Sequence, residues 1–196
     1  FSPQPQELID AARARYSLPE RFFLYVGTLE PRKNLSRVVR AWDRVAAELP
    51  EDLVIAGRVG WKTEELDEAI AMAEHRGRIH RPGFIDATDL PALLCAARAF
   101  VWPSLYEGFG LPVIEAMACG TPVITSDTTS LPEVTGDAAL LVDPCDEDAI
   151  ADAMTRLSSD EALHRKLVEA GRQRARKFTW HRCAEETLVV YRHVSD

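Results

Sequence analysis

Two carboxylates with seven residues between them, Glu107 and Glu115, frame the stretch of this 196-residue chain best suited to chemistry. The segment runs Glu107-Gly-Phe-Gly-Leu-Pro-Val-Ile-Glu115, and the apolar run Ala99 to Trp102 ahead of it predicts a buried strand that Pro103 ends. Gly108 and Gly110 permit turns that a Cβ resists, and Pro112, after Leu111, suits a first helical position because its missing N–H is not needed there. A strand, a glycine turn and a helix start deliver the backbone N–H groups of Phe109 to Leu111 at the positive end of a helix dipole, a seat for phosphate. A carboxylate repels phosphate. Glu107 on the loop and Glu115, expected in the first turn of the helix, therefore suit neutral hydroxyls, and a ligand with both phosphate and hydroxyls is a nucleotide or nucleotide sugar. Singly, each has a plainer explanation: Glu115 complements the helix dipole, and Glu107 sits on a solvated loop.

A second group lies near the start of the chain. Phe22 to Val26 predicts a dense apolar strand running into Gly27, but no Gly-x-Gly-x-x-Gly follows, which argues against the usual dehydrogenase dinucleotide site. The loop ends Pro31-Arg32-Lys33-Asn34, with Asn34 expected to cap a helix whose inner face carries Leu35, Val38, Val39, Trp42, Val45, Ala46 and Leu49. Two cations beside a helix N-terminus are unfavourable unless an anion lies between them and the dipole. The alternative is a charged turn in water.

The elements that must position these residues alternate. A lead-in helix spans Gln6 to Arg15, a second strand Leu53 to Ala56, and a weak third strand Arg78 to Arg81. Thr63 is placed to cap the helix before that third strand, and Trp61 either lines a cleft or staples its loop. Phe84, after Gly83, reads from sequence alone as a core residue, and Leu90, Leu93, Leu94 and Ala97 face inward on the next helix. Pro122 to Thr125 and Ala139 to Val142 complete the strands, and three helices follow, the last from Phe178 to Asp196. Strands alternating with helices predict an α/β, doubly wound parallel sheet of Rossmann-like type, with ligands above the carboxyl ends of the strands.

These blocks resemble the family-four retaining glycosyltransferases of GT-B type, whose hallmark is Glu, seven residues, Glu. The similarity continues through Ala116-Met-Ala-Cys-Gly-Thr-Pro-Val123 and back to Val26-Gly-Thr-Leu-Glu-Pro-Arg-Lys-Asn34, covering nearly the whole chain. The resemblance implies one half of a two-domain enzyme: residues 1–196 as the nucleotide-sugar-binding domain, with the helix over 178–196 crossing toward a missing N-terminal domain. It implies that Lys33 and Glu107 are the catalytic pair, Lys33 on the donor diphosphate and Glu107 on the sugar hydroxyls, with Glu115 on the ribose. Donor binding would then use Gly27, Thr28, Arg32, Gly83, Phe84, Ile85, Gly108, Phe109, Gly110 and Leu111 as well, with Gly83 to Ile85 bordering the nucleobase. The family usually has an arginine directly after the glycine, where this chain has Thr28, so Arg32 is either its substitute or turned to solvent. No cofactor and no metal are expected; the nucleoside diphosphate sugar is a substrate. The function implied is hexose transfer, mannose or glucose type, to a glycan or lipid-linked acceptor held through the missing N-terminal domain, with little activity in this domain alone. The alternatives are a non-catalytic nucleotide-sugar-binding or regulatory module and, less well matched, a sugar-nucleotide epimerase.

Composition agrees. A hydrophobic content of 46% supports a core, and a net charge of −8 with no basic stripe argues against nucleic acid. Cys95, Cys119, Cys145 and Cys183 are scattered in the sequence, pointing to neither a zinc site nor a disulfide framework; they read as small core residues in a reducing compartment. The expected location is cytoplasmic, with peripheral association of the full-length enzyme at the inner membrane face. The opening Phe1-Ser-Pro-Gln-Pro resembles an interdomain segment.

Overall fold

A computed structural model describes residues 1–195; Asp196, the end of the expected last helix, lies outside them. Six parallel strands form one sheet, β1 (Phe22–Val26), β2 (Asp52–Ala56), β3 (Ile79–Gly83), β4 (Ala99–Trp102), β5 (Val123–Ser126) and β6 (Leu140–Val142), in the order β3-β2-β1-β4-β5-β6. The strand order reverses between β1 and β4, and an open α/β sheet with such a switch point has a crevice there, because the two flanking connections leave toward opposite faces.

The central strands read as unbroken apolar runs because helices cover both faces, and Phe22 to Tyr25, Leu53 to Ala56 and Ala99 to Trp102 are all buried. The helices are α1 (Gln6–Arg15), α2 (Leu35–Val45), α3 (Glu64–Met72), α4 (Leu90–Ala96), α5 (Leu111–Cys119), α6 (Leu131–Thr135), α7 (Glu147–Ser159), α8 (Glu161–Ala175) and α9 (Trp180–Ser195). Helix α2 buries Leu35, Val38, Val39, Ala41 and Trp42, the face its periodicity predicts. Helix α9 is different. Trp180, Val189, Val190, Tyr191 and Val194 are all at least 60% exposed along it.

Several local expectations change. The third strand begins one residue later and ends two residues later than Arg78–Arg81 would place it; as the sheet's edge strand it is only half-buried and carries a weak apolar signal. Asn34 occupies the cap position of α2 but makes no side-chain cap, because its backbone is left-handed at φ 62°. Its amide Nδ2 instead donates to the carbonyls of Pro103 (3.0 Å) and Pro144 (2.6 Å), tying the loops after β4 and β6 to the loop after β1. Thr63 likewise makes no backbone cap; its hydroxyl donates to Asp67 at 3.3 Å. Cys145 and Cys183 are exposed, so only Cys119 is a fully buried thiol.

Candidate donor-nucleotide site

The loops after β1 and β4 meet over the switch point, and their side chains form one ionic cluster. Lys33 Nζ donates to Glu107 Oε1 at 2.7 Å and Arg32 Nη1 to Glu107 Oε2 at 2.8 Å, so both carboxylate oxygens are taken by cations. Trp102 Nε1 adds a bond to Oε1 at 3.1 Å. Arg32 also donates to Glu30 Oε1 (2.6 Å) and to the Tyr106 carbonyl (2.7 Å). Arg32 therefore pairs with Glu107 and Glu30 rather than turning wholly to solvent, its side chain remaining 40% exposed. Lys33 is buried, its ammonium 4.2 Å from the Trp102 ring centroid, and Trp102 stacks on Tyr25 at 5.0 Å.

Glu30 and Trp102 were not among the residues expected at the site. Their only sequence signal is adjacency to Arg32 and to the β4 run; the pairing itself exists only in the fold.

Two electrostatic consequences follow. Burial pushes the Glu107 carboxyl up, but hydrogen bonds from Lys33 and Arg32 and the charge of Lys33 outweigh it and hold the group below the usual carboxylate range. The anion that makes two cations tolerable beside α2 is, in this state, the protein's own. Glu115 behaves in the opposite way: burial raises its carboxyl above the usual range, and no hydrogen bond or ion pair is made by its side chain among the described residues. Nor does it lie in the first turn. Helix α5 begins at Leu111 after Gly110, with Pro112 second, so Glu115 is the fifth helical residue, and dipole complementation no longer explains it.

The glycines fit close approach. Gly110 has φ 103°, and a Cβ there would stand 2.8 Å from Leu131 Cδ2, so the turn into α5 is closed to larger residues. A Cβ at Gly27 would meet the Tyr25 hydroxyl at 2.8 Å and the Trp102 ring at 3.0 Å, which keeps backbone rather than side chain at the crevice floor. Pro112 has no N–H, and the Val113 and Ile114 amides donate to the Gly110 carbonyl at 3.0 and 3.4 Å, so Leu111 supplies the α5 amide without an intrahelical acceptor. Behind the Glu107 loop, Ser130 Oγ donates to the carbonyls of Glu107 and Phe109, both at 3.1 Å, and Thr129, itself left-handed at φ 59°, accepts from the Glu107 amide at 3.4 Å.

Not every expected residue joins this cluster. Gly83 (φ 81°) ends β3 and Phe84 follows it, on the same sheet edge but beyond β2, and Ile85 is buried. Phe84 is not a core residue: it is 53% exposed, with the Arg58 guanidinium 4.6 Å from its ring centroid. Phe109 is half-exposed and packs edge-on to Phe178 at 5.7 Å. Trp61 is exposed on its loop.

The profile described as "Glycosyl transferases group 1" matches residues 9–174. The chain belongs to that family. An O-antigen chain mannosyltransferase B from Escherichia coli is 40% identical over 173 residues, covering 87% of this chain and 45% of that protein. Sucrose-phosphate synthase from Thermosynechococcus elongatus superposes with a TM-score of 0.83 at 33% identity, over 99% of this chain and 49% of that structure. The fold also matches HepE from Anabaena, solved in complex with UDP-glucose, with a TM-score of 0.76 at 21% identity, over 90% of this chain and 51% of that one. This group 1 chain therefore spans about half the length of the relatives it matches. Within the described residues, no helix is long and apolar enough to cross a membrane.

Proposed function

We propose that this chain is the donor-binding, C-terminal half of a retaining hexosyltransferase that takes a mannosyl-type unit from a nucleoside diphosphate sugar. The observation that carries the reading is the convergence of Lys33 and Arg32 on the sheet's switch point, where the backbone amides of Phe109 to Leu111 lead into α5, together with a half-buried Glu115 one turn further along α5 whose side chain makes no hydrogen bond or ion pair among the described residues. The diphosphate takes its place against Lys33, Arg32 and those amides, where preorganised positive charge offsets the charge that develops as the diphosphate leaves. Glu107 is then released from the cations toward the sugar hydroxyls, with Glu30 keeping Arg32 in the crevice. Glu115 accepts from the ribose hydroxyls. The mannosyl preference rests on the mannosyltransferase name of the Escherichia coli relative and on the length of matched chain. The acceptor, a glycan or lipid, binds the other half of the enzyme, which also covers the exposed apolar side of α9.

Calorimetric titration with nucleoside diphosphates, with and without chelator, tests the site. Glu115→Ala is expected to weaken binding by about 1.5 to 3 kcal/mol, the worth of a charge-assisted hydrogen bond. The ionised carboxylate is the acceptor and burial has raised its pKa, so wild-type affinity should fall as pH drops through that raised value, and the variant should lose this pH dependence. Strict metal dependence, or affinity indifferent to Glu115, overturns the assignment.

A further inference from the structure

Away from the crevice, two cysteines far apart in sequence meet where α4 packs on α5. Cys95, half-buried near the end of α4, places its Sγ 3.4 Å from the carbonyl oxygen of Cys119, the last residue of α5, and 3.8 Å from that of Ser2. The two side chains also interact electrostatically across this contact. A third group closes the cluster. Arg172 of α8 lies so close to Gly120 that a Cβ there would stand 2.5 Å from its Nη2, and its Nε is buried without a hydrogen-bond partner among the described residues. A guanidinium with an unused donor beside two thiols is an environment that favours thiolate.

We propose that Cys95 and Cys119 form an oxidation site, which a hydroperoxide converts to a disulfide joining α4 to α5. Cys95 is the attacking sulfur because it is the more accessible, and because the Cys119 thiol, the Gln4 amide and the charge of Arg172 together bring its pKa down to about 7 against the effect of burial. As a thiol it donates to the Cys119 carbonyl; as a thiolate it accepts from the Cys119 S–H. Its lone pair forms an S–O bond to the peroxide as the O–O bond breaks, leaving a sulfenic acid and, after protonation of the leaving oxygen, one water or alcohol. Cys119 then attacks that sulfur: an S–S bond forms, the S–O bond breaks, and a water leaves with the Cys119 proton. The pair is oxidised by two electrons and the peroxide reduced by two. Cys119 is a poor nucleophile while Cys95 is charged, since the hydrogen bond to Cys95, burial and the Cys95 charge all hold its thiol pKa up. Sulfenic acid formation removes the Cys95 charge, so the second cysteine is activated by the first step.

Treating the protein with hydrogen peroxide near neutral pH, trapping free thiols and mapping non-reduced peptides tests this. The expected product is a cross-linked Cys95–Cys119 peptide lighter by two hydrogens, formed before any oxidation of the exposed Cys145 and Cys183. In Cys119→Ser the Cys95 sulfenic acid should persist long enough for capture by a dimedone probe, and in Cys95→Ser neither product should form. Oxidation of Cys145 or Cys183 first, with Cys95 and Cys119 recovered as alkylated thiols, overturns the proposal. So does a cross-link between any other pair.

Discussion

Glu51 and Glu107 are both buried carboxylates gripped by an arginine, one at each edge of the same sheet. Glu51, fully buried just before β2, accepts from Arg21 Nη2 at 2.5 Å and Nε at 3.1 Å, and from Ser158 Oγ at 2.6 Å, while its backbone carbonyl takes the Trp42 indole N–H at 3.2 Å. That cluster pins the amino ends of β1 and β2 to the end of α7, and each contact joins elements already packed. Glu107, at the carboxyl edge, has two cations instead of one, a second carboxylate behind Arg32, and supporting loops held by left-handed Asn34 and Thr129. Strain of that kind is retained where the surroundings over-determine it, and it gathers at sites more than at scaffolds. Burial and pairing therefore do not distinguish a structural ion pair from a binding cluster. Position relative to the strand-order reversal does.

The largest effect that tests this contrast is structural. Arg21→Ala leaves the fully buried Glu51 side chain with Ser158 as its remaining hydrogen-bond partner, and because Arg21 itself is half-exposed the loss is about 1 to 3 kcal/mol, the cost of a buried acceptor left short of a donor. Denaturant unfolding should show that loss while nucleoside diphosphate affinity stays unchanged; an affinity change would mean that the two edges are coupled and the contrast too sharp.

Glu107→Gln comes next, and its effect divides. The carboxylate competes with a diphosphate for Lys33 and Arg32, so free nucleoside diphosphate should bind the variant more tightly, by about 0.5 to 1 kcal/mol, while the intact sugar donor binds more weakly. The acid limb of stability should change too. A depressed folded pKa gives stability present above the unfolded value, near 4.5, and lost as pH falls through the folded one; in the Gln variant that contribution is absent at every pH. Titrations with both ligands and acid unfolding of both proteins provide the comparison. Weaker binding of the free diphosphate in the variant breaks the proposed competition.

The smallest effect is expected from Thr28→Arg. Thr28 is exposed and Arg32 already holds the crevice, so an added guanidinium should change diphosphate binding by less than about 0.5 kcal/mol. A gain well above that would show that Arg32 leaves the usual arginine position functionally empty.

Much of this architecture is legible without coordinates because apolar periodicity survives where burial is complete. The strands Phe22–Val26 and Ala99–Trp102 carry the same limits in sequence and structure, as does the helix Gln6–Arg15. The edge strand β3 was displaced because a half-buried strand writes a weaker pattern. Asn34 and Thr63 misled for another reason: capping preference describes local options, whereas Asn34 spends its amide on carbonyls 69 and 110 residues away. Phe84 suggested a core residue because an aromatic carries no mark of which side of its strand end it will leave. Glu115 falls one residue beyond the first turn because the helix begins at Leu111 rather than Pro112, and nothing in Gly110-Leu111-Pro112 fixes which residue begins it. The Glu30–Arg32 and Cys95–Cys119 meetings were invisible, one hidden in a turn and the other between two helices.

The reach of Asn34 also bears on the order in which the molecule assembles. Its two carbonyl partners belong to loops that leave β4 and β6, so the turn carrying Arg32 and Lys33 is not fixed until the strands on the β4 side of β1, out to the far edge strand β6, have docked. Such distant contacts form only after the entropy of closing long loops has been overcome, whereas the β1–β2 ladder and its helix close over shorter segments. The β1–β2 ladder is therefore expected to form before the turn that carries Arg32 and Lys33 is fixed, an order that hydrogen-exchange pulse labelling during refolding would read.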